Sequence, residues 1–310
     1  MTTDKSWENN LIIVDNEEEY YIGELARTQS EIKNFILDQG SLNRIEDLFL
    51  LIKAVLSVLL KEVKDNIILG IGTPISTSIE KMKELSSQLK GEFDVKIIND
   101  ATKEIIEKKL SITQVLVMPE SYGSYYQVVS SFSETNTALN AVVISLDLLT
   151  EILTIFEGKL IRKASRNLTN ASLFVLSNKI AIALRQKTGI IINPHAILEN
   201  IRGNMEYVVL SGKTYDIGKI KEHYVRQIAK EIVDNLISVL NNLPLEAEIE
   251  YYIVTGEAVE LFWTEIEMLI LEHNIIDPLE LDRIVKVKDP IFSNAIGFES
   301  LAKKKLEIGE

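Results

Sequence analysis

Residues 141–160, AVVISLDLLTEILTIFEGKL, constrain this chain more than any other stretch. Val142, Val143 and Ile144, followed by Ile152, Leu153 and Ile155, fit two strands joined by a tight turn, with Gly158 opening the next loop. The turn between the strands carries Ser145, Asp147, Thr150 and Glu151 and no glycine.

Composition narrows the class around that hairpin. At 310 residues the chain is long for one core, so two domains are expected. A hydrophobic fraction of 46% and a charged fraction of 25% are those of an ordinary folded protein. The absence of cysteine excludes a disulfide framework and thiol catalysis, and fits a reducing, cytoplasmic setting. The start MTTDKSWENN lacks the basic flank and apolar run of a signal peptide. The longest apolar segment, 48–60, contains Lys53 and falls short of the roughly 20 residues that span a bilayer, so it is expected to be a buried helix. A net charge of −13 argues against a nucleic-acid surface, because phosphate-backbone affinity comes from Lys and Arg. Any DNA contact is therefore expected to run through a basic partner. His195, His223 and His273 are scattered without ligand spacing, and the sequons at Asn167 and Asn170 are read as chance matches.

Strands and helices alternate, which favours an α/β fold. Strands are expected at 11–14, 20–22, 66–70, 95–98, 115–118 and 249–254. Helices are expected from Ser41 as cap to about Val63, and at 76–89, 125–131, 168–186, 195–201, 217–240, 259–272 and 293–305. The polar run 133–140 marks the expected domain boundary.

Four segments in order carry a family resemblance: YYIGELA at 20–26, ILGIGTP at 68–74, VMPESYG at 117–123 and SNAIGF at 293–298. With the 141–160 hairpin and the turn after Val254 between them, the chain resembles the actin-like ATPases, in the branch of ParM and the archaeal actin-like proteins. The resemblance covers nearly the whole chain. It implies a two-domain actin-like fold, each domain a mixed sheet flanked by helices, with a nucleotide cleft between. The expected halves are residues 1–136 plus 292–310 for the first domain and 137–291 for the second.

The resemblance also implies roles for individual residues. Glu120, in the Pro-Glu-Ser segment, would orient or polarise an attacking water; alternatively it is a glutamate that favours a helix dipole. The hairpin of this family reads DxGxxTxD, whose glycines bring amides to a phosphate and whose aspartates hold magnesium and its water. Here Ser145 stands at the first aspartate, Asp147 replaces a glycine and is the candidate metal ligand, and Thr150 and Glu151 echo the closing pair. The adenosine-side turn is represented by Thr255, Gly256, Glu257 and Ala258, with one glycine where the family has three, and with Glu257 facing an already anionic ligand or its sugar edge.

A second departure lies at the start. The family opens with a phosphate hairpin of the form DxGxxxxK, but only 19 residues precede Tyr20, with 15–19 (DNEEE) as a turn lacking glycine and lysine. The first phosphate hairpin is thus expected to be missing or reduced. Asp15 is either a metal-side remnant or part of a solvated acidic turn that would repel phosphate. Each lost electrostatic donor costs on the order of 3 to 4 kcal/mol in rate.

The leading expectation is a degenerate actin-like scaffold or filament protein with weak or no ATP turnover, self-associating or pairing with another actin-like chain. An alternative is an active ParM-like ATPase that uses ATP or ADP with magnesium and segregates plasmid or other DNA through an adaptor. A third is an interaction module that does not polymerise. In the blander version of the first, Leu146, Leu148 and Leu149 fill the space of a nucleotide as core.

Overall fold

A computed structural model describes residues 4–34, 37–38, 41–42, 45–60, 67–132, 139–210, 212–244 and 247–308. The chain forms two compact units: residues 1–73 with 77–118, and residues 74–76 with 119–310.

The first unit is built on one sheet. Leu11–Asp15 (β1) and Glu18–Tyr21 (β2) form a hairpin whose two-residue turn, Asn16 and Glu17, has φ of 51° and 67°. Positive φ at both central positions matches the twist of the flanking strands, and asparagine tolerates it better than other residues with a side chain. Glu24–Gln29 (α1) follows, then the short pair Leu37–Asp38 (β3) and Ser41–Leu42 (β4), then Ile45–Leu59 (α2). Ser41 therefore lies in a strand, four residues ahead of the helix start at Ile45, and the expected extension to Val63 lies within 61–66, outside the described residues. Ile67–Thr73 (β5) leads to Ile79–Leu89 (α3), whose cap is Ser78, with its oxygen accepting the Lys81 amide at 3.2 Å. The expected helix start at Ser76 is thus moved to the better-placed hydroxyl.

Gly91–Asn99 (β6) and Ile105–Pro119 (β7) form a long antiparallel hairpin, and the sheet order is β2-β1-β6-β7-β5. Both strands run well beyond the expected 95–98 and 115–118. Their outer parts alternate half-buried and exposed residues, and Lys108 and Lys109, outside the expected strands, sit in a regular ladder. Lys53 is buried on α2, paired with the Asp15 carboxylate and over the Phe49 ring. Asp15 thus has a lysine partner inside its own unit.

The second unit opens with Tyr122–Phe132 (α4), longer at both ends than the expected 125–131. Ala141–Leu146 (β8) and Thr150–Phe156 (β9) form the hairpin anticipated from the sequence. Lys159–Leu160 (β10) and Arg166–Leu168 (β11) pair with β9; Leu173–Thr188 (α5) starts at its Ser172 cap, so Leu168 ends a strand instead of opening the helix. His195–Arg202 (α6) is followed by an unanticipated hairpin, Tyr207–Leu210 (β12) with Lys213–Asp216 (β13), then Gly218–Leu240 (α7). Tyr251–Thr255 (β14) runs parallel to β8, and Ile284–Lys286 (β15) parallel to β14. Val259–Glu272 (α8) and Ser293–Ile308 (α9) complete the unit. The division between units falls at Pro119, upstream of the polar run, of which 133–138 lie outside the described residues.

Strand alternation sorts the hairpin side chains between two layers. Val142, Ile144, Leu146 and Ile152 enter the core made with α5, α7 and α8, whereas Ala141, Val143, Leu153 and Ile155 face Tyr125 and Val128 of α4. Helices α4 and α9 cross at glycine: a Cβ on Gly297 would lie 1.8 Å from the Gly123 carbonyl oxygen. Beside the crossing, the buried hydroxyls of Ser124, Thr255 and Ser293 are mutually bonded, and Ser124 also donates to Asn294 Oδ1 at 2.6 Å.

Candidate functional site

The register of β8 and β9 sets the site. Ser145 pairs with Glu151 and Leu146 with Thr150, leaving Asp147, Leu148 and Leu149 as the turn. By alternation Glu151 shares the α4 face with Leu153 and Ile155, and there it accepts the Ile75 amide at 2.7 Å and the Ser121 hydroxyl at 3.1 Å. Burial pushes its pKa up to about 7, against the lowering effect of those two donors.

Glu120 stands immediately before Ser121, at the end of β7. Burial pushes its pKa up to about 8, and the charges of Asp147, Glu151 and Glu257 add to the rise. These four carboxylates, brought from three separate stretches, repel one another. Asp147 is likewise raised by burial, opposed by the bonds it accepts. Its Oδ2 takes the Ser145 hydroxyl at 2.6 Å and its Oδ1 takes the backbone N–H of Glu257 at 2.8 Å. Both oxygens of the candidate metal ligand are therefore engaged by the protein. Among the described residues, no three Asp, Glu or His side chains come together in a geometry that would hold a metal ion.

The turn at 255–258, expected on the adenosine side, packs against the hairpin. The Leu146 carbonyl accepts the Ala258 amide at 2.8 Å, and the Asp147 carbonyl accepts the Leu173 amide at 3.1 Å. One hairpin turn thus satisfies free amides at the start of both α8 and α5. Gly256, with φ of 103°, approaches so closely that a Cβ would lie 2.4 Å from the Leu146 oxygen. Its bare backbone faces the hairpin. Thr255 is fully buried, its hydroxyl within bonding distance of Ser293 and Ser124, and Ala258 is buried as well. Thr150 is buried, on the strand face opposite Glu151. Leu146 belongs to the core and Leu148 packs against it.

Glu257 meets Arg202, whose Nε lies 2.9 Å from its Oε2, and burial raises its pKa against that attraction. Arg202, at the end of α6, was not legible in the sequence because nothing local ties it to Glu257. Ser121 could have been found, since it adjoins Glu120 in the Pro-Glu-Ser segment. The fold thus brings Glu120, Asp147, Glu151 and Glu257 together electrostatically, and directs Thr150, Thr255 and Ala258 into the interior.

The comparisons agree with this architecture. Residues 1–123 match the family model of the actin-like proteins' N-terminal domain. No curated protein matches the sequence. Among solved structures, an archaeal actin homologue is similar at 16% identity and a TM-score of 0.73, over 98% of this chain and 90% of that one. A subunit of a 15-stranded ParM filament from Clostridium botulinum is similar at 17% identity and a TM-score of 0.71, over 98% and 87%. MreB5 of Spiroplasma citri bound to AMPPNP is similar at 15% identity and a TM-score of 0.67, over 97% and 91%. Residues 1–123 thus match the actin-like N-terminal domain family, and the whole chain has the actin-like fold.

Proposed function

We propose that this chain is an actin-like scaffold or filament protein with weak or no ATP turnover, which associates with copies of itself or with another actin-like chain. The bond from the Glu257 amide to Asp147 carries this reading. A phosphate site keeps backbone amides free for the ligand, concentrated by glycine-rich turns and positive charge. Here the hairpin turn has no glycine, its Asp147 carboxylate takes the Glu257 amide and its Leu146 carbonyl the Ala258 amide, and the charges beside Asp147 include Glu120, Glu151 and Glu257. Arg202, the cation that meets Glu257, is engaged by Glu257 and Glu199. These residues do not fit a magnesium nucleotide, although an archaeal actin homologue of the same fold has been solved with ADP.

Titration calorimetry of the full chain with ATP and ADP in magnesium tests the reading. No binding heat from a folded sample is expected; micromolar affinity with magnesium-dependent hydrolysis would overturn it. Sedimentation is expected to show assembly that does not depend on nucleotide, as suits a chain similar to filament subunits. Persistent small species would point to an interaction module instead.

One observation favours a second reading, an active filament-forming ATPase. Glu120, with a pKa raised to about 8, has the proton affinity of a general base near neutral pH. On that reading Glu120→Ala abolishes turnover in a chain that still folds, and plasmid or other cargo DNA is reached through a basic adaptor, given the net charge of −13. Both readings place the protein in the cytoplasm. Among the described residues no helix is long and apolar enough to cross a membrane.

A further inference from the structure

The acidic turn at 15–19 has no part in the site above, and its strand has an unusual environment. β2 is the end strand of its sheet, and no further strand pairs with it among the described residues. All four of its residues, Glu18, Glu19, Tyr20 and Tyr21, are exposed, the two tyrosines at 36% and 40%. Asp15 is neutralised by Lys53, whereas Glu17, Glu18 and Glu19 form no ion pair among the described residues. We propose that the outer edge of β2 is a docking site for a basic extended segment of a partner protein, which adds to the sheet as a further strand.

The backbone identifies which groups are offered. Ile22 donates to Leu11 at 2.9 Å, and bonded and non-bonded pairs alternate along an antiparallel ladder. Tyr20 and Glu18 therefore point their amides at β1, and Glu19 and Tyr21 point theirs outward. An added strand takes those two amides and the carbonyls beside them, while the tyrosines supply contact area at small entropic cost. Charge selects the occupant. Pairing of this edge with the same edge of a second copy would bring the glutamates at 17–19 of both copies onto one short ladder, which disfavours self-addition. Lysine or arginine on one face of the incoming strand meets Glu18 or, on the other face, Glu19.

The test uses the full chain and a fluorescent octapeptide of alternating lysine and valine, with a glutamate–valine peptide as control, read by anisotropy. The lysine peptide is expected to bind and the glutamate peptide not to. Glu19→Pro removes an outward amide without touching the β1 ladder, and is expected to weaken binding by about tenfold or more. Glu18→Lys with Glu19→Lys keeps the edge and is expected to reverse the preference between peptides. Hydrogen exchange is expected to slow at the Glu19 and Tyr21 amides when the lysine peptide is present. Unchanged exchange at those amides, binding that survives Glu19→Pro in a folded variant, or no binding of the lysine peptide would each overturn the proposal.

Discussion

The carboxylate of Asp147 accepts the backbone amide of Glu257 at 2.8 Å, joining the turn of the β8–β9 hairpin to the residue just ahead of α8. A hairpin side chain thereby takes up an amide of the 255–258 turn, which is no longer open to a ligand. The same carboxylate holds the Ser145 hydroxyl, and the same turn supplies the Leu146 and Asp147 carbonyls to Ala258 and Leu173. Unit two therefore organises the starts of two helices with its own atoms.

Removing that acceptor should loosen the unit. Asp147→Ala leaves the Glu257 amide without its partner and is expected to lower stability by about 1–3 kcal/mol, with no dependence on added nucleotide. Urea unfolding with and without magnesium-ATP measures both. Stability restored by the nucleotide would show that the amide serves a ligand after all.

Stability should also fall as pH rises. Glu120 and Glu151 start from an ordinary value of 4.5 and are raised to about 8 and about 7 in the folded protein. Between those limits the folded state binds more protons than the unfolded one, so the contribution is complete below 4.5 and is lost as pH climbs through 7 and 8. Glu120→Gln, which stays neutral, is expected to flatten the upper part of this slope. Midpoints of chemical unfolding at a series of pH values would reveal a parallel profile if the two groups titrate normally.

The helix crossing tolerates no added methyl. Gly297→Ala would place its Cβ 1.8 Å from the Gly123 oxygen, and is expected to destabilise by about 3 kcal/mol or more. Gly189→Ala is the control, because nothing lies within 4 Å and only the left-handed backbone, φ 76°, is penalised, by about 1 kcal/mol. Equal melting temperatures for the two variants would contradict the close approach of α4 and α9.

Lys53 and Asp15 should behave as a coupled pair. Lys53→Met keeps the packing against Phe49 but leaves Asp15 without its cation, at an expected loss of about 1–2 kcal/mol. Adding Asp15→Asn should recover most of it. A double-mutant cycle on thermal unfolding gives the coupling, and additive losses would mean that the two residues act independently.

Much of the fold was legible in the chain because its signals are local. The apolar runs of β8 and β9, the glycine closing α5 and the long period of α7 each depend on neighbours within a few turns. What was hidden follows from solvent exposure: the outer halves of β6 and β7 and the β12–β13 hairpin carry polar residues on one side, so their periodicity is diluted. The start of α2 was misplaced at Ser41 because any serine before an apolar run looks like a cap.

The α/β class and a hairpin turn of Asp147, Leu148 and Leu149 without glycine were already legible in the chain. What that turn does emerged only from the packed molecule. Asp147 reaches Glu257 across 110 positions of sequence, and Gly256 turns its bare face to Leu146, not outward. Arg202 meets Glu257 from another helix, and Thr255 closes a buried hydroxyl knot with Ser124 and Ser293. The physical reason is that periodicity and capping act over a few residues, whereas partners for buried amides and carboxylates are chosen by which strands and helices the core brings within about 3 Å of one another.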